Sequence, residues 1–192
     1  MIFVKGDIAK TGFADAVFDM ISCDQVLHHT ESPPETLREF DRITKKTGVL
    51  NTYVYAKKAL PRELLDDHFR EAAKKLTHDE IWQLSEQLTR LGKTLSDLNM
   101  TVDVPDIPIL GIKGGSQDLQ RFIYWNFIKC FWNDDFGWDA SVMGNFDWYS
   151  PSNAFRYDKQ QFLEMCQGEG WSNLFLHSEK ACYSGQFGKR IA

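Results

Sequence analysis

Asp24, Gln25, His28 and His29 fall within six residues of one another, directly after an apolar run. A carboxylate and an amide at that position can face a cationic or amine-bearing ligand, or they can serve as loop and helix-cap residues. A histidine has a free pKa near ~6.5, so it can take a proton from a hydroxyl at neutral pH. His29 is the candidate general base, and either imidazole can equally pack the loop. Asp24, His28 and His29 are also metal-ligand types. One loop supplies all three and the sequence offers no second cluster, so no metal site is expected. Other residues with chemical potential are Asp7 after Gly6, the pair Tyr53 and Tyr55, and the aromatic tract holding Trp132, Trp138, Trp148 and Tyr149.

These residues need elements to hold them. Residues 2–4 (IFV) form a short apolar run before Lys5-Gly6-Asp7, a strand and a turn. Residues 16–23 (AVFDMISC) are almost continuously apolar, as in a strand buried on both faces. Ser32, Pro33 and Glu35 spell a capped helix start with a capping box, and Leu37, Phe40 and Ile43 supply its apolar stripe. After Gly48, residues 49–55 (VLNTYVY) form the next strand. Strand, helix, strand is a βαβ unit, which implies a parallel sheet with a right-handed crossover. Tyr53 and Tyr55 flank Val54 and share one face, for core packing or for substrate.

From Pro61 the period becomes helical. Leu65, Phe69, Ala72 and Leu76 mark one arm of a hairpin. Thr77 with Glu80 caps a second arm, along which Ile81, Leu84, Leu88, Leu91 and Leu95 form the apolar face. Residues 60–100 are therefore a helical insertion. Residues 99–115 carry Pro105, Pro108 and three glycines, which is loop chemistry. Ser116 is the expected cap of a helix over 117–132. Residues 133–158 are the expected aromatic lid loop, so that 111–150 form an aromatic helix and lid. Asp158 caps a last helix, and 173–178 and 181–188 close the chain as two antiparallel strands.

Bulk properties narrow the function. The 192 residues suffice for one domain with a core. The net charge of −5 and the lack of a basic block argue against nucleic acid as a partner. No apolar run is long enough to span a membrane, and the N-terminus lacks a signal-peptide layout. The four cysteines are widely spaced without CxxC, which fits buried thiols in a reducing cytoplasm.

The order of these pieces resembles the C-terminal part of a class I S-adenosylmethionine-dependent methyltransferase. "FVKGD" resembles the end of the family's third strand. "FDMISCDQVLHH" is similar to the pattern FDxIxxxxVLHH at its fourth, and "TKKTGVL" stands where the family has KPGG and a strand. "DWYSP", "FLEMCQGEGW" and the closing strands resemble the tail of small-molecule members. The resemblance implies an α/β, Rossmann-like methyltransferase sheet, N-terminally incomplete, with a helical-hairpin insertion and a C-terminal antiparallel strand pair, all in one partial domain over 1–192. It implies S-adenosyl-L-methionine as cofactor and methyl transfer to a small-molecule acceptor. Asp7 matches the acid that accepts from the adenine amine, with Ile8 beside the ring. Asp24 and Gln25 match positions facing the methionine part. Tyr53, Tyr55, Trp148 and Tyr149 are candidates for the acceptor, and the aromatic tract serves equally as an interface.

The family's glycine-rich loop after its first strand, and the acid after its second, have no counterpart here. "GIKGG" follows a proline-rich loop, and "GEG" ends a helix. Cofactor binding by these residues alone is therefore expected to be absent or very weak. The strand around Met20 is expected to expose an apolar edge, hence a homodimer or a missing N-terminal half that covers it. A non-catalytic interaction or oligomerisation module is the alternative function. A dehydrogenase is disfavoured, because its nucleotide fingerprint is absent.

Overall fold

The computed structural model describes residues 2–190. The chain divides into two units, Met1–Lys57 with Asn153–Ala192, and Lys58–Ser152. The first is built on a sheet. Strand β1 (Phe18–Cys23) leads through a 3-10 turn at Leu27–His29 into helix α1 (Pro33–Ile43), and strand β2 (Thr44–Ala56) follows without a break. The unit resumes with β5 (Arg156–Tyr157), helix α6 (Lys159–Gly168), β6 (Trp171–Ser178) and β7 (Cys182–Lys189). The order is β1-β2-β7-β6. β1 and β5 pair with β2 in parallel, β7 pairs with β2 antiparallel, and β6 pairs with β7 antiparallel. β7 alone therefore runs against the other strands. β5 joins the edge of β2 that β1 occupies, just past β1's last pair at Cys23 and Thr52.

The α/β fold read from the sequence is present, with the expected βαβ crossover and antiparallel closing strands. Period-2 alternation sends Leu50, Thr52 and Val54 to one face of β2 and Tyr53 and Tyr55 to the other. Leu50 and Val54 pack with Leu37, Phe40 and Ile43 of α1, with Phe162 and Cys166 of α6, and with Trp171 and Phe187. The Trp171 indole donates to the Leu37 carbonyl at 3.2 Å, so the largest core side chain is also satisfied. All four cysteines are buried and free, as expected for structural thiols. No helix among the described residues is long and apolar enough to cross a membrane.

Two expectations in this unit need correction. Residues 2–4 form no strand, and Ile2, Phe3 and Val4 are 90%, 89% and 68% exposed. A strand needs a partner for its backbone, and none lies beside this segment among the described residues. The chain is tied down further on, where Ala16 and Val17 amides donate to the Arg42 and Ile43 carbonyls. Ser32 caps α1 by accepting from the Glu35 amide, but Glu35 returns no bond, so the box is a single cap.

The second unit holds α2 (Leu60–Ala73), α3 (His78–Asp97), a hairpin of β3 (Thr101–Val104) and β4 (Gly115–Asp118), α4 (Leu119–Asn126) and α5 (Gly137–Tyr149). The helical pair is where the period placed it, and the Thr77–Glu80 box forms in both directions. The faces differ from expectation. α2 buries Arg62, Asp66, Arg70 and Ala73, while Ala72 and Leu76 are exposed. α3 buries Ile81, Ser85, Leu88, Thr89 and Gly92, while Leu91 is 40% exposed. Polar groups can take the inner face because each finds a partner: Ser85 and Thr89 hydroxyls donate to carbonyls one turn back, at 2.7 and 2.8 Å.

The aromatic segment also differs. Ser116 lies in β4, and Asp118 is the cap of α4. The helix stops at Asn126 instead of running to Trp132. Side-chain amides replace the lost helical bonds: Gln120 donates to the Cys130 carbonyl at 2.9 Å, and Asn145 brackets Phe131 by accepting from its amide (2.8 Å) and donating to its carbonyl (3.0 Å). The expected lid loop contains α5, which buries Ser141, Val142, Asn145, Trp148 and Tyr149 on one helical stripe.

Candidate functional site

In a parallel sheet, ligands meet the carboxyl ends of the strands. The 3-10 turn at Leu27–His29 lies just past the end of β1, and with residues 6–10 it builds a groove of about 450 Å³. Asp7, Ile8, Val26, His29, Ser32 and Glu35 are among its walls. Asp7 is exposed and sits in a tight turn, its Oδ1 accepting from the Ala9 amide at 2.8 Å and its carbonyl from the Lys10 amide at 3.1 Å. Its Oδ2 has no partner among the described residues. Ile8 is half-buried and packs on the core cluster. The turn is anchored to α1 through Glu39, which accepts from the Thr11 amide at 2.9 Å. The Arg42 guanidinium, assisted by Thr11, holds the Glu39 carboxyl down at about 2.

His28 and His29 have separate settings. The His29 Nδ1–H donates to the Asn153 carbonyl at 2.7 Å and the His28 Nδ1–H to the Tyr53 carbonyl at 3.3 Å. Carbonyls only accept, so Nδ1 carries a proton on both rings, and the buried, neutral His28 keeps an Nε2 lone pair. His29 is half-buried on the groove. His28 is fully buried, and its Nε2 has no partner among the described residues. Burial, with His29 beside it, pushes His28 down to about 3. Its ring lies 3.9 Å from Tyr55, 4.1 Å from His29 and 5.9 Å from Tyr53, so four aromatic side chains form one patch after β1 and on β2. Burial raises the Tyr53 hydroxyl well above its usual range, which keeps it a neutral donor.

The structure thus brings Asp7, Ile8 and His29 to one groove, and His28, His29, Tyr53 and Tyr55 to one ring patch. Asp24 and Gln25 lie on the exposed turn before Val26 and do not line the groove. Gln25 has φ 55°, a left-handed turn conformation. Trp148 and Tyr149 belong to the helical unit and are 5% and 2% exposed. The Tyr149 hydroxyl donates to Asp66 at 2.8 Å. His28 takes the packing role that the sequence left open to either imidazole. Its signal was its place as the buried member of an adjacent pair, which periodicity within a three-residue 3-10 turn cannot report. No group of three or more ligating side chains suited to a metal occurs among the described residues.

The methyltransferase-domain family model matches residues 1–52, the segment that carries β1, α1 and both groove walls. No curated protein sequence matches the chain. Among solved structures, PKMT2 from Rickettsia typhi in complex with AdoHcy aligns with TM-score 0.52 at 14% identity, over 96% of this chain and 38% of that one. A SAM-dependent methyltransferase from Thermotoga maritima aligns with TM-score 0.43 at 13% identity, over 97% and 63%. The chain therefore spans less than two thirds of either protein. The first 52 residues thus match the methyltransferase-domain family model, and the fold of the chain is similar to that of the Rickettsia typhi protein.

Proposed function

We propose that this chain forms part of a catalytic domain that transfers a methyl group from S-adenosylmethionine to a small-molecule acceptor. The groove between residues 6–10 and the 3-10 turn carries the proposal. In support of it, Asp7 lines the groove with a carboxylate oxygen that could accept from an adenine amine, and Ile8 lines it as an apolar wall that could meet the ring. The residues present fit this end of the cofactor. The family's phosphate-loop-like glycine segment, which allows close backbone approach, does not occur in these 192 residues, and Asp24 and Gln25 stand outside the groove. The bound cofactor supplies a methyl group already activated on a sulfonium.

The chain's own residues then have the work of orientation and proton handling. His29, with its proton on Nδ1 and its Nε2 lone pair available, would accept a proton from a hydroxyl acceptor. Tyr53 and Tyr55 give the acceptor a ring wall, supported by the His28 stack. The test is a two-dimensional NMR titration with S-adenosylhomocysteine. Weak binding is expected, with shifts confined to residues 6–10 and 26–35 and abolished by Asp7→Ala. Shifts centred elsewhere, or none up to the solubility limit, would sink the groove assignment. Micromolar binding by calorimetry would overturn the view that these residues hold one end only.

A further inference from the structure

The helical unit buries an unusual set of charges around one indole. Lys129 Nζ lies 5.0 Å from the Trp148 ring centre, Arg62 Cζ 5.3 Å, Lys58 Nζ 5.9 Å and Arg70 Cζ 6.0 Å. Arg62 and Lys129 are 1% and 8% exposed. A buried cation needs a carboxylate or several hydrogen bonds to offset its lost hydration. Arg62 has both, since its Nε donates to Asp66 at 2.6 Å and its other arm to the Tyr124 carbonyl. The second oxygen of Asp66 is taken by Tyr149 at 2.8 Å, so this carboxylate is used up.

Lys129 is the member that the protein does not neutralise. Its hydrogen-bond partner is the Tyr124 hydroxyl, at 3.3 Å, and the rings of Tyr124, Phe131 and Trp148 surround it at 5.0–5.2 Å. It makes no ion pair among the described residues. Ring faces attract an ammonium but do not cancel its charge. Lys58 shares this field. Burial first, then Arg62 and Lys129 against the opposing pull of Glu63 and Asp66, bring it down to about 7. Lys58 is the half-exposed member, and it also lies 5.7 Å from the Trp125 ring.

We propose that Lys129 and Lys58, on the Trp148 platform, bind a small carboxylate whose remaining body is flat and apolar. The carboxylate supplies the negative charge that Lys129 lacks, and the indoles of Trp125 and Trp148 meet the body. A carboxylate is favoured over phosphate because the Arg62 fork, the usual bidentate phosphate reader, is already spent on Asp66 and the Tyr124 carbonyl. This site stands on the helical unit's own residues and holds whether or not the groove binds S-adenosylmethionine.

Calorimetry on the intact chain tests it, with benzoate as probe and benzyl alcohol as the neutral isostere. Benzoate binds saturably and raises the thermal midpoint, and benzyl alcohol does neither. Lys129→Met weakens benzoate roughly 10-fold or more, as expected for losing a charge-assisted contact, while Lys129→Arg stays within about threefold. Lys113→Met, on the exposed stretch before β4, leaves binding unchanged. If Lys129→Met does not fold, Lys58→Met and the wild-type comparison of benzoate with benzyl alcohol decide. Equal binding of the two probes overturns the proposal, as does the absence of saturable benzoate binding. Inorganic phosphate binding as tightly as benzoate overturns the assignment to a carboxylate.

Discussion

Asp66→Asn tests whether the helical unit depends on one buried carboxylate. The substitution keeps the shape and an oxygen for Tyr149, and removes only the charge. Arg62 is then left 1% exposed with a carbonyl and a neutral amide as partners. Lys129 and Arg70, also buried, stay near it around Trp148. Removing one partner of a buried ion pair costs about 3–5 kcal/mol. Set against a total stability of about 5–15 kcal/mol, the loss would remove a large part of the unit's margin. Tyr149→Phe, which deletes one hydrogen bond to the same carboxylate, should cost less, about 1.5–3 kcal/mol.

The assay follows from where the fluorophores lie. Trp82, Trp125, Trp132, Trp138 and Trp148 all belong to the helical unit, and Trp171 belongs to the sheet unit. Urea unfolding followed by tryptophan emission therefore reads the helical unit, and the far-ultraviolet circular dichroism reads both. Asp66→Asn should move the emission midpoint more than the dichroism of the sheet unit. The double variant Arg62→Met with Asp66→Leu, built on Tyr149→Phe so that no buried hydroxyl loses its acceptor, should recover most of the loss, because it removes both charges. An Asp66→Asn midpoint within about 1 kcal/mol of the parent would refute the account of the buried pair. So would a double variant less stable than the single one.

Two further predictions concern other parts of the molecule. His28 is held at about 3 when folded and titrates near 6.5 when unfolded, so the unfolded chain binds the extra proton as pH falls between these values. Stability is therefore lost on acidification, by up to about 1.4 kcal/mol per pH unit, and Glu39 adds its own loss only below about 4.5. Urea midpoints between pH 6.5 and 4.5 should fall in the parent and flatten in His28→Phe; parallel slopes would contradict the assignment. At Gly92 an added Cβ would run into the Cys130 carbonyl, so Gly92→Ala should destabilise by about 1–3 kcal/mol, against the usual helical gain. Gly168→Ala meets nothing within 4 Å and should be neutral or stabilising, with thermal melts of the two variants and the parent as the check.

The sheet unit was largely legible because its signals are local and apolar. The run at β1, the Ser32-Pro33 start of α1 and the alternation along β2 each fix one element, and their order implies the parallel crossover. Residues 2–4 misled because an apolar run states what a strand would bury, not whether a neighbour exists to pair with it. The groove was legible in part. Asp7, Ile8 and His29 converge, whereas Asp24 and Gln25 look similar in sequence but lie on the exposed turn before Val26, where Gln25 takes a left-handed φ of 55°.

The helical unit was read correctly in its hairpin and wrongly in its interior, and both outcomes have one cause. Periodicity counts leucines, and α2 and α3 carry enough of them to announce helices. The inner face is instead chosen by groups that satisfy one another: Arg62 with Asp66, Thr89 with Asn145 at 2.8 Å, and Asn145 with Phe131. Thr89 and Asn145 lie 56 residues apart, and Asn145 reaches from α5 to Phe131 outside it, so no short window registers them; Arg62 and Asp66, one turn apart on α2, read in sequence like an ordinary surface ion pair. The same blindness hid α5, whose buried stripe includes Ser141 and Asn145, and made its sequence look like a loop. Burying polar groups costs stability unless every partner is in place. The helical unit retains Lys129 without a counter-charge among the described residues, and that feature, more than any leucine stripe, marks where a ligand would meet it.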